Sequence, residues 1–267
     1  MAAPAAPDAR PVALVTGAAR RLGREIALEL ARGGHDIALH YRHSRSDAEA
    51  TQADIERLGA RCELFAADLA HGEDCEALVP AVLLRLGRLD AVVNNASMFE
   101  YDDVGSFNAA VLERHLRANT APAVLLARAL HEHLALRDGR GCVVNLSDQK
   151  LVNLNPDYFS YTLSKAALDA ATQMLALALA PRVRVCAVAP GVTLLSGPMD
   201  DAEFAAARTL TPLGRSSTPA DIARAVRFVV ESPAITGTTL LIDGGQHLAR
   251  QPRDVLFLAR DALEPKA

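Results

Sequence analysis

VALVTGAARRLGREIALELAR, residues 12–32, sets a short β-branched run, a glycine-bearing turn and an amphipathic helical segment in direct succession. Glycine and alanine in the turn let a backbone approach a bulky anion closely. The free N–H groups at the start of the helix then bind that anion, and a pyrophosphate is the kind of group such a site takes. The order strand, turn, helix is what turns a weak glycine pattern into an informative one. It places Gly17, Arg20, Arg21, Leu22 and Gly23 around the anion.

Outward from this unit, similar apolar runs recur at 36–41, 62–68, 90–97, 141–147, 183–190 and 238–245, with amphipathic segments of helical length between most of them. Strands apolar on both faces that alternate with helices indicate a parallel sheet covered on each side, an α/β, doubly wound architecture. Thr218-Pro219 with Asp221 opens a helix running to Glu231; Gly33-Gly34 and Gly59 close the first two helices. One domain is expected over residues 11–249, preceded by an Ala/Pro-rich disordered tail at 1–10 and followed by an extension at 250–267. Val255, Leu256, Leu258 and Leu263 make that extension either a short docking helix or a partly ordered tail.

With 267 residues, 50% of them hydrophobic, the chain can bury a full core, and a net charge of -4 creates no field that would attract nucleic acid or an anionic membrane. No run reaches the roughly 18 apolar residues of a membrane span. Cys62, Cys75, Cys142 and Cys186 are scattered, without the spacing of a metal site or a disulfide framework. A cytoplasmic protein acting on a small molecule, with no metal, is expected.

The second run ends in H40-Y41-R42-H43-S44-R45, with its acid, Asp36, at the other end. A carboxylate at the end of this strand would accept from a ribose 2′-OH; cations and a hydroxyl suit a 2′-phosphate instead. Arg42, His43 and Ser44, beside Tyr41, therefore favour NADPH over NADH. Further along, LSDQKLVNLNPDYFSYTLSK (146–165) carries Asp148, Tyr161 and Lys165. Tyr161 and Lys165 are four apart and share a helix face, so an ammonium stands beside a phenol and favours its ionised form. Such a set is the equipment of a general acid. Two acidic groups in one partly buried site resist joint ionisation, so at least one of Asp148 and Tyr161 stays protonated near neutral pH.

The glycine turn, N94-N95-A96-S97, Asn119 and the Asp148/Tyr161/Lys165 set occur together in order, and the chain resembles the classical short-chain dehydrogenases/reductases from about Pro11 to about Ala249. The resemblance implies a Rossmann sheet of seven parallel strands in order 3-2-1-4-5-6-7. It implies Tyr161 as catalytic acid/base and Lys165 as holder of the nicotinamide ribose that also lowers the phenol pKa. Asn119 would hold a relay water, Asp68 the adenine, and Asn95 the cofactor near the fourth strand. Leu69, Ala96, Ser97, Pro190 and Gly191 complete the implied cofactor surface, and a homotetramer is implied through helices around 108–136 and 158–180.

Two departures narrow the resemblance. Asp148 stands where the family commonly has serine, and N-N-A-S replaces N-N-A-G; together with Arg21 at the usual glycine position, these resemble the pteridine reductases and bacterial dihydromonapterin/dihydrofolate reductases. There Phe99 would sandwich a pterin ring against the nicotinamide, with Arg21, Ser97, Asp148, Tyr161 and Thr193 around it. Arg21 can point at phosphate or at substrate. The expected activity is NADPH-dependent reduction of a dihydropterin. The alternatives are reduction of a 3-oxoacyl thioester or of an alcohol- or sugar-type carbonyl, and an NADP-sensing regulatory protein without turnover. The loop from Thr193 to Arg208 holds no motif that identifies the substrate.

Overall fold

The computed structural model describes residues 10–195 and 197–263. The strands are β1 (Val12–Val15), β2 (Asp36–Tyr41), β3 (Cys62–Ala66), β4 (Ala91–Asn94), β5 (Gly141–Leu146), β6 (Val183–Pro190) and β7 (Thr239–Ile242). The helices are α1 (Arg21–Arg32), α2 (Arg45–Arg57), α3 (Gly72–Leu86), α4 (Ala109–Asn119), α5 (Ala121–Leu136), α6 (Phe159–Ala178), α7 (Asp201–Thr209), α8 (Pro219–Glu231) and α9 (Val255–Leu263). All strand pairings are parallel, in the order β3-β2-β1-β4-β5-β6-β7, as expected from the sequence.

Strand pleating explains the double apolar requirement. In β1, Ala13 and Val15 enter a layer with Ile26 and Leu30 of α1 and Ile222 and Val226 of α8. The alternate residues Val12 and Leu14 enter the opposite layer with Leu78 and Val82 of α3 and Leu126 and Leu130 of α5. Each fully buried leucine contributes roughly 1.5–3 kcal/mol of transfer free energy.

The runs at 36–41 and 183–190 are strands over their whole length, whereas that at 90–97 is a strand only through Asn94. From Asn95 onward the chain leaves the ladder to hold the glycine turn, described below. Helix α8 begins as expected: the Thr218 side chain accepts from Asp221 N–H at 3.3 Å, and the Asp221 carboxylate accepts from Thr218 N–H at 2.9 Å. Of the segment expected as a tail, residues 1–9 lie outside the described residues; Arg10 donates to the carbonyls of Gly34, Gly59 and Ala31 at 3.0, 2.7 and 3.1 Å.

The order in which strands are added reverses between β1 and β4, and the crevice at their carboxyl ends is where α/β sheets of this kind bind ligands. The C-terminal extension packs beside that crevice. Val255, Leu256 and Ala259 of α9 are buried against Ala207 of α7 and Met199. Arg253 grips Asp157 through contacts of 2.9–3.1 Å, and Asp157 also accepts from Asp254 N–H at 2.7 Å. Residues 264–267 lie outside the described residues.

Candidate active site

Two adjoining cavities occupy the crevice. The larger, about 800 Å³, runs along the glycine turn, the end of β2 and the segment after β3. The smaller, about 270 Å³, is bounded by the Asp148–Tyr161–Lys165 set, Phe99 and the C-terminal extension. Arg21, Leu22, Asn95 and Ser97 line both.

The larger cavity gathers Gly17, Arg20, Tyr41, Arg42, His43, Ser44, Asp68, Leu69 and Ala96, which the sequence placed at a dinucleotide. Gly17 has φ +62°, in the left-handed region. A Cβ on Gly23 would lie 2.6 Å from Asn95 Nδ2 and closer still to the Gly17 carbonyl. The two glycines let the turn pack tightly on the start of α1 and on Asn95, with Arg20, Arg21, Arg42 and His43 along the same cavity, so the residues present fit a phosphorylated dinucleotide. Arg42 Nη1 lies 3.8 Å from Asp68 Oδ2, so the expected phosphate cation and the expected adenine acid face each other across the cavity.

Asn95, which lines both cavities, also holds the glycine turn. Its Nδ2 donates to the carbonyls of Thr16 and Gly17 at 2.9 and 3.3 Å, and its backbone N–H donates to Thr16 Oγ1 at 2.9 Å. It clasps the turn to the end of β4, so its amide donors are spent on protein. Asn119 is similarly saturated. Its Oδ1 accepts from Met98 N–H at 2.7 Å and Ser97 Oγ at 3.2 Å, and its Nδ2 donates to Met98 O and Ser164 Oγ at 3.0 and 2.9 Å. The side chain therefore clamps the 97–98 segment to α6.

In the smaller cavity the Tyr161 hydroxyl donates to Asp148 Oδ2 at 2.8 Å. Asp148 Oδ1 accepts from Lys150 N–H at 2.9 Å and caps the 3-10 turn Gln149–Val152. The carboxyl thus both caps a turn and faces the phenol. Lys165 Nζ donates to the Leu146 carbonyl at 2.7 Å and stands 5.7 Å from the Tyr161 ring centroid. Phe99 stacks on Tyr158, with centroids 4.2 Å apart and planes 14° apart, and meets Tyr161 edge-on. It remains 38% exposed, which is the exposure of a ring at a cavity and not of a core residue. Arg21, itself at φ 55°, donates to the Leu195 carbonyl at 2.6 Å, tying the turn to the loop after β6. In that loop Thr193 Oγ1 bonds Ser217 Oγ at 2.7 Å, beside Pro190 and Gly191.

The electrostatics correct one expectation. Burial raises the Tyr161 phenol well above its ordinary value, and the adjacent Asp148 carboxylate raises it further. Burial pulls the Lys165 ammonium itself down to about 8, against the opposing pull of Asp148. Asp148 is raised by burial, opposed by its hydrogen bonds from Lys150 and Tyr161. Burial is the largest cause for all three groups, which share one water-poor corner. The expected resistance to joint ionisation of phenol and carboxyl holds.

Sequence reasoning missed part of this wall. Lys150, buried, donates to the Asp157 carbonyl at 2.5 Å and pairs with Asp254 Oδ2 at 3.3 Å; Gln251, Asp254 and Tyr158 also line the cavity. No local pattern points to Lys150 or Asp254. Helix α7, inside the loop that resisted reading, did have a signal: Asp200 and Glu203 form a capping box, at 2.8 Å in each direction. Among the described residues, no group of three or more His, Cys, Asp or Glu could hold a metal, and no helix is long and apolar enough to cross a membrane.

A parallel seven-stranded sheet with a glycine turn at its reversal point and a Tyr-x-x-x-Lys helix beside it defines a nucleotide-dependent oxidoreductase. The chain belongs to the short-chain dehydrogenase/reductase family: a family pattern described as enoyl-(acyl carrier protein) reductase matches residues 17–247. It is similar to the crystal structure of FolM alternative dihydrofolate reductase 1 from Brucella suis in complex with NADP, at 41% identity and TM-score 0.86, covering 91% of this chain and 96% of that one. The same enzyme from Brucella canis, complexed with NADP, gives 40% identity and TM-score 0.84 over 91% and 96%. A 3-oxoacyl-[acyl-carrier-protein] reductase of Staphylococcus aureus is 32% identical over 252 residues, 88% of this chain and 98% of that protein.

Proposed function

We propose that this protein uses NADPH to reduce a dihydropterin, with dihydromonapterin or dihydrofolate as substrate. The observation that carries this reading is the hydrogen bond from Tyr161 to a carboxyl, Asp148, at 2.8 Å. A serine at this position can hold a ketone oxygen, whereas a carboxyl whose pKa is raised by burial can also carry a proton to a ring nitrogen. Phe99, stacked on Tyr158 and open to the cavity, offers a flat face to a heterocycle. The Brucella proteins, solved with NADP, support both the cofactor and the substrate class.

When bound, the nicotinamide supplies a hydride to one end of the substrate C=N bond. The protein supplies the proton to the other end. Tyr161 presents its hydroxyl to the nitrogen, and Asp148 and water replace the proton that Tyr161 gives up. Lys165, whose pKa of about 8 leaves it largely charged at neutral pH, holds the nicotinamide ribose. Gly17, Arg20, Leu22 and Gly23 receive the pyrophosphate, Arg42, His43 and Ser44 the 2′-phosphate, and Asp68 and Leu69 the adenine side. Arg21, Ser97 and Thr193, which line the smaller cavity, face the pterin. Asn119 and Asn95 hold the backbone that forms this surface.

We further propose a homotetramer in the cytoplasm, which agrees with four free, buried cysteines. The experiment is steady-state kinetics with NADPH and NADH against dihydromonapterin, dihydrofolate, an acetoacetyl thioester and a simple ketone, for the natural protein and Asp148→Ser. Dihydropterin reduction with NADPH, sharply lowered by Asp148→Ser while NADPH still binds, is the expected result. Preferred reduction of the thioester or ketone would assign the protein to carbonyl reduction, and absence of turnover on every substrate would favour a sensor.

A further inference from the structure

His40, buried on β2, bonds the glycine turn twice. Its backbone carbonyl accepts from Ala18 N–H at 2.8 Å, and its ring Nδ1 accepts from Gly17 N–H at 3.1 Å. The other ring nitrogen, Nε2, lies 3.1 Å from the Ala67 carbonyl, one residue before Asp68. A backbone N–H only donates and a carbonyl only accepts, so both ring contacts are satisfied by one species, the neutral imidazole with its hydrogen on Nε2. Burial holds the imidazole below its usual range, which favours that species.

We infer that His40 is a positioning residue for the dinucleotide, clipping the glycine turn to the end of β3. This rests on the NADPH reading above. The clip engages the first two amides of the turn, so the anion is left to the amides that follow, at the start of α1. Asn95 holds the same turn from the β4 side through its carbonyls, and His40 holds it from the β2 side through its N–H groups. Gly17, at φ +62°, sits between the two grips. The clip also couples the turn to the adenine side, because Ala67 leads directly into Asp68.

The test compares NADPH affinity, by fluorescence titration, with thermal melting for the natural protein, His40→Leu and His40→Asn. Leucine fills the space without an acceptor; asparagine places a carbonyl oxygen where Nδ1 stood and keeps the bond from Gly17. His40→Leu is expected to weaken NADPH binding about tenfold, the worth of one hydrogen bond whose buried donor loses its partner. It should raise KM for NADPH more than it lowers kcat, and His40→Asn should recover most of the affinity. Nitrogen NMR of the natural protein should show the Nε2–H tautomer for this ring. A folded His40→Leu protein that binds NADPH as tightly as the natural one overturns the inference. So does an asparagine variant no better than leucine, or an Nδ1–H tautomer. A natural protein that binds neither NADPH nor NADH would instead sink the cofactor reading itself, before any variant is compared.

Discussion

Tyr161 and Lys165 share one face of α6, yet their titration is governed less by each other than by the water-poor corner they share with Asp148. The Asp148 carboxylate raises both the phenol and the ammonium, so removing its charge must lower both. In Asp148→Asn, Lys165 is therefore expected to titrate below its present value of about 8, and the Tyr161 phenol to come down from its elevated value. A pH titration of the lysine by carbon NMR, with ultraviolet titration of the phenol, checks both directions; unmoved values would mean that Asp148 bears no charge beside them. For catalysis, Tyr161→Phe removes the hydroxyl and leaves the ring packed on Phe99. Turnover should fall by about 10² to 10⁴, the range of a positioned general acid, with NADPH affinity retained. Near-normal turnover would remove Tyr161 from the role of donor.

At the scale of single elements, the strand–turn–helix unit at 12–32 and helix α8 respond to substitution for different reasons. In Gly23→Ala the new methyl meets the Gly17 carbonyl and Asn95 Nδ2, and the former is backbone that has no room to withdraw. Overpacking of this kind costs about 1–3 kcal/mol, and here the backbone that moves lines the cavity proposed for the cofactor. Gly23→Ala should thus lose both stability, by chemical denaturation, and NADPH affinity. Thr218→Ala at the start of α8 should lose about 1 kcal/mol through the missing cap and leave NADPH affinity unchanged, because neither Thr218 nor Asp221 lines either cavity. Equal affinity in the glycine variant would show that the turn tolerates displacement. The element boundaries carry a related lesson. The run at 90–97 looked like one strand because its residues are apolar through Val93, but the hydrogen-bonding groups of Asn95 are committed to Thr16 and Gly17, which the local pattern does not contain.

For the molecule as a whole, α6 carries its active-site residues on one side and leaves apolar ones on the other. Leu163, Met174 and Leu177 recur at helical spacing on that outer side, and Leu177 is 84% exposed. The proposed tetramer would cover this stripe together with the outer surface of α4 and α5. Sedimentation velocity of the natural protein should give a tetramer, and Leu177→Glu should shift it to smaller species by placing a charge in the covered stripe. A monomer in the natural protein would defeat the assembly and leave the single-chain site untouched.

The glycine turn, the alternation of apolar runs with helical segments, and the spacing of Asp148, Tyr161 and Lys165 were legible in the sequence. Each is a local pattern, written in residues a few positions apart. From them follow the parallel sheet and the position of Tyr161 and Lys165 on one face of α6. The wall of the smaller cavity and the grips on the turn were not legible, because they join residues distant in the chain. Asp157 meets Arg253, Lys150 meets Asp254, and Gly17 meets the ring of His40. The pKa directions belong to the same class: the sequence shows an ammonium beside a phenol and suggests a lowered phenol, but desolvation depends on every element that packs around the corner. Local chemistry chose the residues, and tertiary packing decided how much water and which partners they see.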